Sequence, residues 1–280
     1  MSGTLYIVAT PIGNLEDLSP RAQRLLGEVA AIACEDTRHS RKLLEHFHIR
    51  TPLVSYYREN EAARAAELLA RLAAGEDLAL VTDAGAPLVS DPGARLVAQA
   101  VAAGMQVIPV PGASAVQAAL MASGLGAADL EPWTFLGFLP ARAGERRRAL
   151  QAWAKAPTAL VFFEAPHRLC AALADMEEAW GPARPLAVGR ELTKLHEEFV
   201  RGTVATVRAH FDQHEPRGEF TLVAGPPPAE ATAVPAADAA PAGRDQVKQW
   251  ARLHGVTRSE AYRRWQQSRG TMNKSESGRG

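Results

Sequence analysis

Four loops rich in glycine, proline and small polar residues follow apolar runs in the first half of the sequence, each where a strand is expected to end. They span residues 10–14, 34–38, 82–93 and 109–115. The carboxyl ends of parallel strands form the ligand crevice of an open α/β sheet. Glycine and proline there hold irregular backbone and let it approach a ligand closely. Any one loop alone indicates a plain tight turn, but four at one predicted sheet edge favour a shared site.

The glycine spacing in these loops argues against several common nucleotide cofactors. None of the four has the G-x-G-x-x-G pattern of dinucleotide sites or the pattern of a P-loop. A crevice lined by backbone and small residues, with few cations, suits a triphosphate poorly. It favours a zwitterionic ligand with an adenosine at one end and an amino acid at the other.

Three charged residues lie together in the second loop: Glu35, Asp36 and Arg38. Carboxylates at a strand end can orient a substrate hydroxyl and accept its proton. The same residues can instead cap the following helix and form a solvated ion pair. The residues by themselves leave both interpretations open.

A second group of charges follows an aromatic strand that ends at Pro140. Arginine beside phenylalanine and proline suits contacts to phosphates and stacked bases, although a solvated helix face has the same composition. The candidates for such contacts are Arg142, Arg146, Arg147 and Arg148. The densest charged stretch of the chain, residues 189–198, includes Lys194.

Composition disfavours metal sites and membrane segments. The two cysteines, Cys34 and Cys170, and the eight scattered histidines form no cluster with metal-ligand spacing, so we expect no metal. The low cysteine count and the lack of a signal peptide predict a reducing, cytoplasmic location. No stretch approaches the roughly 18 apolar residues of a membrane span.

The elements that must position the loops alternate along the chain. Strand-like runs and helical patterns alternate through residues 1–123, which predicts a parallel α/β domain. Residues 124–225 continue the alternation, but two adjacent strands near residues 193–198 predict a mixed sheet. The sequence therefore predicts an α/β protein of two domains.

The chain from residue 226 onward has a different composition. Residues 226–243 contain eight alanines and five prolines, which is typical of an extended linker. Residues 244–268 are predicted to form a small basic helical module, and residues 269–280 a disordered tail. From residue 244 to the end there are nine Lys or Arg and three Asp or Glu, a charge of +6, although the whole chain is neutral. Such segregation favours a phosphate-rich partner, with Arg258 and Arg263 as candidate contacts.

Seven motifs occur in a fixed order between residue 4 and about residue 225. They are LYIVATPIGNLEDLSPRA, ACEDTRHSRKLL, VTDAGAPLVSDPG, VIPVPGASA, GFLP, FFEAPHRL and GRELTKLHEE. Their order and spacing resemble the tetrapyrrole-methylase superfamily and, within it, the branch that methylates ribosomal RNA. The resemblance implies a homodimer of two-domain α/β subunits that bind S-adenosyl-L-methionine in the cleft between the domains. It also implies 2′-O-methylation of a cytidine in the decoding region of 16S rRNA, with the 30S subunit as partner.

The resemblance also implies which residues contact the cofactor. Carried over by position, these are Pro11, Gly85, Ala86, Val89, Ser114, Ala115, Phe163, Val188 and Thr221. Ala86 departs from the threonine that relatives more often have, which would remove a hydroxyl contact. Residues 56–61 lack the histidine of a His-Asn-Glu pattern that is common there.

A catalytic hypothesis follows from the chemistry of methyl transfer. The ribose hydroxyl must lie roughly 3 Å from the methyl carbon, and it must give up its proton. We expect Glu35 and Asp36 to serve this step, helped by Arg38 and Lys194; the alternative is that positioning of the hydroxyl suffices without a dedicated base. Two alternatives stay open: a methyltransferase that acts on a tetrapyrrole ring, and a non-catalytic RNA-binding or assembly protein.

Overall fold

The computed structural model describes residues 2–125 and 132–228, together with Thr257, Ser259 and Tyr262. Residues Met1–Pro228 form one compact unit, and Ala229–Gly280 are assigned to a second. Apart from those three residues, the predicted helical module lies outside the described residues, as do Arg258, Arg263, the predicted tail and nearly all of the predicted linker.

Five parallel strands form the sheet of the first half. They are β1 (Thr4–Val8), β2 (Ala31–Cys34), β3 (Leu53–Ser55), β4 (Leu78–Leu80) and β5 (Gln106–Val110). Their order is β3-β2-β4-β1-β5. In the centre, Leu5 of β1 pairs with Leu78 on one side and Val107 on the other. The predicted parallel α/β construction of this half is confirmed.

Helices cover both faces of this sheet. They are α1 (Pro20–Glu28), α2 (Thr37–His46), α3 (Glu61–Ala73), α4 (Ala94–Ala102) and α5 (Ala115–Ala122), with a short 3-10 turn at Leu15–Asp17. The predicted start of α1 is confirmed, because the Ser19 hydroxyl accepts a hydrogen bond from the helix backbone at 3.1 Å. Leu26 and Leu44 belong to the apolar cluster on one face, and Leu68 and Leu96 to that on the other.

The second half contains a mixed five-stranded sheet. Its strands are β6 (Trp133–Phe138), β7 (Ala159–Glu164), β8 (Pro185–Arg190), β9 (Glu198–Thr203) and β10 (Phe220–Ala224), in the order β6-β7-β10-β8-β9. The β6–β7 pair is parallel, and the other pairs are antiparallel. Its helices are α6 (Ala143–Ala152), α7 (Pro166–Trp180) and α8 (Val204–Gln213). Since β8 and β9 form the predicted hairpin, the prediction of a mixed sheet is confirmed.

One face of the second sheet packs directly against the first half. Val161 of β7 and Val223 of β10 share an apolar cluster with Val116 and Ala119 of α5. Ile12, from the loop after β1, joins the same cluster, which brings the strand ends of the first sheet beside the second. The exact domain limits at residues 123 and 225 stay predictions. Of the helices that the structure describes, none combines the length and apolar character needed to cross a membrane.

Candidate functional site

A cavity of about 370 Å³, here called the first cavity, lies between the two sheets at the carboxyl ends of β1, β4 and β5. Its volume is within the range of roughly 300–1,000 Å³ that is usual for small-molecule sites. The first half contributes Ile12 and residues 82–86, 89–91 and 114–115; the second contributes Phe138, Leu192 and residues 163–166 and 218–221. Three of the four loops expected to share a site therefore meet here.

Hydrogen bonds join the loop after β1 to the loop after β4. The Thr10 amide donates to the Gly85 carbonyl at 2.9 Å, and the Gly85 amide donates to the Thr10 carbonyl at 3.1 Å. The buried Thr10 hydroxyl donates to the Thr82 carbonyl at 3.0 Å. These bonds hold the two loops as one rigid wall of the first cavity.

The backbone of the β4–α4 loop is strained beside the first cavity. Gly85 has a φ of 84°, which glycine adopts freely, but Leu88 and Ser90 have φ values of 71° and 75°. A left-handed conformation in such residues costs on the order of 1–3 kcal/mol, and it persists where the surrounding structure enforces it. Strain of this kind is concentrated at ligand sites, which supports a functional role for the loop.

Seven of the nine predicted cofactor contacts line the first cavity: Gly85, Ala86, Val89, Ser114, Ala115, Phe163 and Thr221. Pro11 instead lines a neighbouring cavity, described below. The prediction for Val188 is corrected, because its side chain is 0% exposed and packs with Leu222 in the core of the second half. Side chains alternate across a strand, and Val188 is paired with Leu222 while the next residue, Gly189, is paired with Thr221.

Several residues of the first cavity were not predicted individually: Thr82, Asp83, Asp91, Phe138, Glu164 and Leu192. The ring of Phe138 lies 5.4 Å from that of Phe163, so the two form an aromatic wall. Glu164 is 1% exposed, and one of its carboxylate oxygens lies 3.0 Å from Arg168 Nε. Burial raises the pKa of Glu164, although Arg168 and the Ala165 amide oppose the rise. Most of these residues lie within the quoted motifs, but the motifs alone do not show which side chains face inward.

Three carboxylates from two loops interact beside the first cavity, which Asp83 and Asp91 line and Glu35 does not. Asp91 lines it, and burial together with the charges of Glu35 and Asp83 raises the pKa of Asp91 to about 6, against a hydrogen bond from Thr82. Burial and the charge of Asp83 also raise the pKa of Glu35. Asp83 Oδ1 accepts a hydrogen bond from the Asp36 amide at 3.2 Å, which joins the two loops.

Asp36 and Arg38 have a structural role at the start of α2. The Asp36 carboxylate accepts a hydrogen bond from the Arg38 amide at 2.8 Å, and the Arg38 guanidinium pairs with it at 3.2 Å. These bonds lower the pKa of Asp36. Neither side chain lines the first cavity, and that of Arg38 is 90% exposed. These contacts favour the alternative interpretation of a helix cap with a solvated ion pair, and the catalytic role of both residues stays a prediction.

A second cavity of about 320 Å³ adjoins the first. The two share the lining residues Ile12, Asp83, Ala84 and Glu219, so they are adjacent. The remaining lining residues of this second cavity include two lysines and a histidine, and they are Pro11, Gly13, Leu15, His39, Lys42, Leu43 and Lys194. The second cavity therefore adds cationic groups beside a first cavity that is mainly apolar.

Lys194 joins the two halves of the chain at the second cavity. Its ammonium group lies 2.8 Å from Glu191 Oε1 and 3.1 Å from Glu219 Oε2. Burial would lower the pKa of Lys194, but these hydrogen bonds outweigh it and raise the pKa. A Cβ atom at Gly13 would lie 2.3 Å from Lys194 Cγ, so only glycine allows this approach.

The arginines predicted to contact nucleic acid are not equivalent. Arg146 is 4% exposed and lies 2.6 Å from Asp175, so its prediction as an RNA contact is corrected to a role in joining α6 to α7. Arg147 is half-exposed and also reaches Asp175, at 2.9 Å. Arg142 and Arg148 are exposed and remain candidates for RNA contact. In the part of the chain that the structure describes, no group of His, Cys, Asp or Glu is arranged to hold a metal.

The sequence is similar to a family of methylases over most of its length. The model of the family described as Tetrapyrrole (Corrin/Porphyrin) Methylases matches residues 4–208. The chain is 47% identical over 262 residues to "Ribosomal RNA small subunit methyltransferase I" of Synechocystis sp., covering 93% of this chain and 91% of the relative. It is 49% identical over 227 residues to the Pseudomonas aeruginosa protein of the same name, covering 80% and 79%.

Solved structures share the fold at low sequence identity. Diphthine synthase matches with a TM-score of 0.62 at 13% identity, over 80% of this chain and 90% of that one. Cobalt precorrin-4 methyltransferase matches with a TM-score of 0.58 at 18% identity, over 79% and 94%. Uroporphyrin-III C-methyltransferase from Thermus thermophilus, complexed with S-adenosyl homocysteine, matches with a TM-score of 0.57 at 18% identity, over 79% and 97%. These likenesses confirm the two-sheet α/β architecture.

Proposed function

The chain belongs to the tetrapyrrole methylase family, and we propose that it methylates the ribose 2′-hydroxyl of a cytidine in the decoding region of 16S ribosomal RNA. The observation that carries this proposal is the 47% identity, over 93% of the chain, to a relative named for small-subunit ribosomal RNA methylation. The order and spacing of the seven motifs support the choice of nucleotide and of the 2′ position.

S-adenosyl-L-methionine is the cofactor, and the residues of the first cavity fit it. Val89, Phe138 and Phe163 offer apolar and aromatic surface that suits an adenine and a thioether chain. Ser114 and Thr221 offer hydroxyls for the polar groups at the two ends. When bound there, the cofactor supplies an electrophilic methyl group.

The acceptor hydroxyl needs a group that takes its proton, and we assign this role to the carboxylates Glu35, Asp83 and Asp91. Asp91 lines the first cavity, and its pKa of about 6 is near the value that suits a general base at neutral pH. The charges of Glu35 and Asp83 add to the effect of burial in raising this pKa, so the two carboxylates help Asp91 to accept a proton. Lys194 holds the loop before β9 against Gly13, which keeps the two halves of the site together.

The proposal includes the partners of the reaction. The substrate is 16S rRNA within the 30S subunit, the enzyme acts as a homodimer, and the reaction takes place in the cytoplasm. The family resemblance of the motifs supports these points, and the exposed Arg142 and Arg148 supply positive charge for an RNA backbone.

A transfer assay tests the proposed function. The full-length protein is incubated with S-adenosyl-L-methionine labelled in the methyl group and with 30S subunits, free 16S rRNA or uroporphyrinogen III. We expect label in ribosomal RNA, and mapping of ribose methylation should place it on one cytidine of the decoding region. Label in uroporphyrinogen III alone would establish the tetrapyrrole alternative. RNA binding without any transfer, and without cofactor binding by calorimetry, would establish a non-catalytic assembly protein.

A further inference from the structure

We propose that the second cavity binds a phosphodiester group of the RNA strand beside the methylated nucleotide, with Lys42 and His39 of α2 as its ligands. This inference rests on the proposed function, since it assigns the position of the RNA backbone relative to the cofactor. It concerns residues of α2 that lie outside both the catalytic hypothesis and the arginine-rich segment.

The position of the second cavity is the first support. It adjoins the first cavity at Ile12, Asp83, Ala84 and Glu219, so a group bound there would lie next to a nucleotide whose ribose faces the cofactor. Its volume of about 320 Å³ leaves room for a phosphate group and part of a sugar.

The arrangement of α2 is the second support. His39, Lys42 and Leu43 are spaced three and four residues apart, so they form one face of the helix, and all three line the second cavity. Arg41 is also exposed, but it lies two residues from His39 and therefore on another face of the helix. Four of the five residues from Arg38 to Lys42 are Arg, Lys or His, so the N-terminal half of α2 is strongly basic.

Lys42 is the cation that is free to take a ligand. Among residues 2–125 and 132–228, no carboxylate oxygen lies within the 4.0 Å that defines an ion pair with its nitrogen. Lys194 on the opposite wall is already paired with Glu191 and Glu219, so its charge is largely compensated. An anion in the second cavity would therefore gain most from Lys42.

The distribution of charge along the two cavities determines the orientation of the bound nucleotide. Asp83 and Glu219 line both cavities, and Glu219 is paired with Lys194. Asp91 lines only the first cavity, with Glu35 beside it, whereas Lys42 and His39 line only the second. A ribonucleotide carries a hydroxyl that must lose a proton next to a phosphodiester that is always negative. The hydroxyl then faces the carboxylates and the phosphodiester faces α2, because the opposite placement would bring like charges together.

A salt titration of RNA binding tests the proposal. Full-length wild type, Lys42→Gln and the control Lys155→Gln are titrated against a labelled RNA fragment of the decoding region at several salt concentrations. Lys155 is exposed and lies between α6 and the start of β7, at the opposite end of that strand from residues 163–166. We expect Lys42→Gln to weaken binding and to reduce the slope of log K against log salt by about 0.7, the loss of one single-strand phosphate contact. Lys155→Gln should keep the wild-type slope, and Lys42→Arg should restore most of the affinity.

Kinetics and cofactor binding give a second measurement on the same variants. Lys42→Gln should raise KM for the RNA more than it lowers kcat, and calorimetry should show an unchanged affinity for S-adenosyl-L-methionine. A slope and a KM equal to those of Lys155→Gln, while the wild type binds and methylates RNA, would overturn the phosphate site and leave the proposed function intact. Failure of the wild type to bind RNA at any salt concentration would overturn both.

Discussion

At the scale of single residues, Asp91 has the environment expected of a group that accepts protons near neutral pH. Burial and the neighbouring charges of Glu35 and Asp83 raise its pKa from 3.8 to about 6. A carboxyl that binds a proton more tightly in the folded chain than in the unfolded one destabilises the fold once it is ionised. Asp91 therefore costs stability above pH 6, and a function in proton transfer explains why an aspartate lies there.

The pH dependence of stability tests this account of Asp91. Below pH 4 the group is protonated in both the folded and the unfolded state, and wild-type stability then falls as the pH rises through about 4 to 6. Asp91→Asn should remove this loss, so at pH 8 it should be more stable than wild type by about 1–2 kcal/mol, with no gain at pH 4. Denaturant unfolding at the two pH values measures the difference. The exposed Asp17→Asn serves as control, and an equal pH dependence in wild type and Asp91→Asn would contradict the account.

Glu35 and Asp36 are adjacent in sequence but differ in environment. Substitutions of the two residues should therefore have different effects on turnover. Glu35→Gln removes one of the three interacting carboxylates, so we expect kcat to fall at least tenfold, as for loss of a general base or its partner. Asp36→Asn keeps a residue that caps helices well, so its turnover should stay near that of wild type. Single-turnover methylation with saturating RNA gives both values. A large loss in Asp36→Asn with an intact fold would restore Asp36 to the catalytic group.

At the scale of elements, the site depends on a close contact between two loops of different halves. Gly13 follows β1, and Lys194 lies between β8 and β9. Within the latter loop, Glu191 and Thr193 have φ values of 49° and 65°, so it is held in a strained conformation. A side chain at Gly13 would press on this loop, since its Cβ would also lie 3.0 Å from Thr193 Oγ1.

Gly13→Ala is therefore expected to disturb the site as well as the fold. The clash should cost about 1–3 kcal/mol of stability and weaken cofactor or RNA binding, because the walls of both cavities shift. Gly27→Ala in α1 is the matched control: a Cβ there meets nothing within 4 Å, so it should stabilise the helix by up to about 1 kcal/mol. Thermal unfolding and calorimetry with S-adenosyl-L-methionine test both variants. A Gly13→Ala variant with normal stability and binding would show that the loops can separate freely.

The ion pair between α6 and α7 predicts a further contrast between neighbouring arginines. Arg146→Gln leaves the buried Asp175 with one partner fewer. We expect the free energy of unfolding to fall by about 3 kcal/mol. This value is at the low end for a broken buried ion pair, because Arg147 still reaches Asp175. Arg148→Gln should leave stability unchanged and weaken RNA binding in a salt-dependent way. Denaturant unfolding and RNA titration measure the two effects. The reverse pattern would make Arg146 the RNA contact.

At the scale of the whole molecule, neutrality conceals two opposed charges. Residues 244–280 carry nine basic and three acidic groups, which gives +6, so the preceding 243 residues carry −6. Within the acidic part of the chain, the exposed arginines of α6 and the basic residues of α2 provide local positive surface. A neutral total is therefore compatible with a nucleic-acid partner.

Removal of residues 229–280 tests the contribution of the C-terminal charge. The described unit that ends at Pro228 should still bind S-adenosyl-L-methionine with unchanged affinity, because both cavities lie within it. RNA affinity should fall, and the slope of log K against log salt should become shallower. The full-length double variant Arg258→Gln and Arg263→Gln should show a smaller change in the same direction. Unchanged RNA affinity after truncation would leave the segment with no part in binding.

The sequence by itself determined the family, the two α/β halves and the edge of the sheet at which the ligand loops meet. These properties are encoded in short stretches of sequence. The end of a strand is visible as an apolar run that stops at Gly or Pro, and the start of a helix is visible as a pair such as Ser19-Pro20. The family is visible in the order of the motifs. Seven of the nine cofactor contacts that the family resemblance implies line the first cavity, and five of these lie in the glycine- and proline-rich loops of the first half, as Gly85 and Ser114 do.

Only the tertiary structure decided which side chains face the site. Asp91 and Glu35 are far apart in sequence, and only the packing of their loops brings the Glu35 charge close enough to raise the pKa of Asp91. Arg146 cannot be told from Arg148 by composition, but the position of Asp175 on α7 buries one guanidinium and leaves the other exposed. Val188 was misplaced for the same reason, since the face of a strand that meets a cavity depends on what packs against the sheet. The pKa shifts and ion pairs of the site arise from contacts between segments that are distant in sequence. A local sequence pattern does not show which distant segments come into contact.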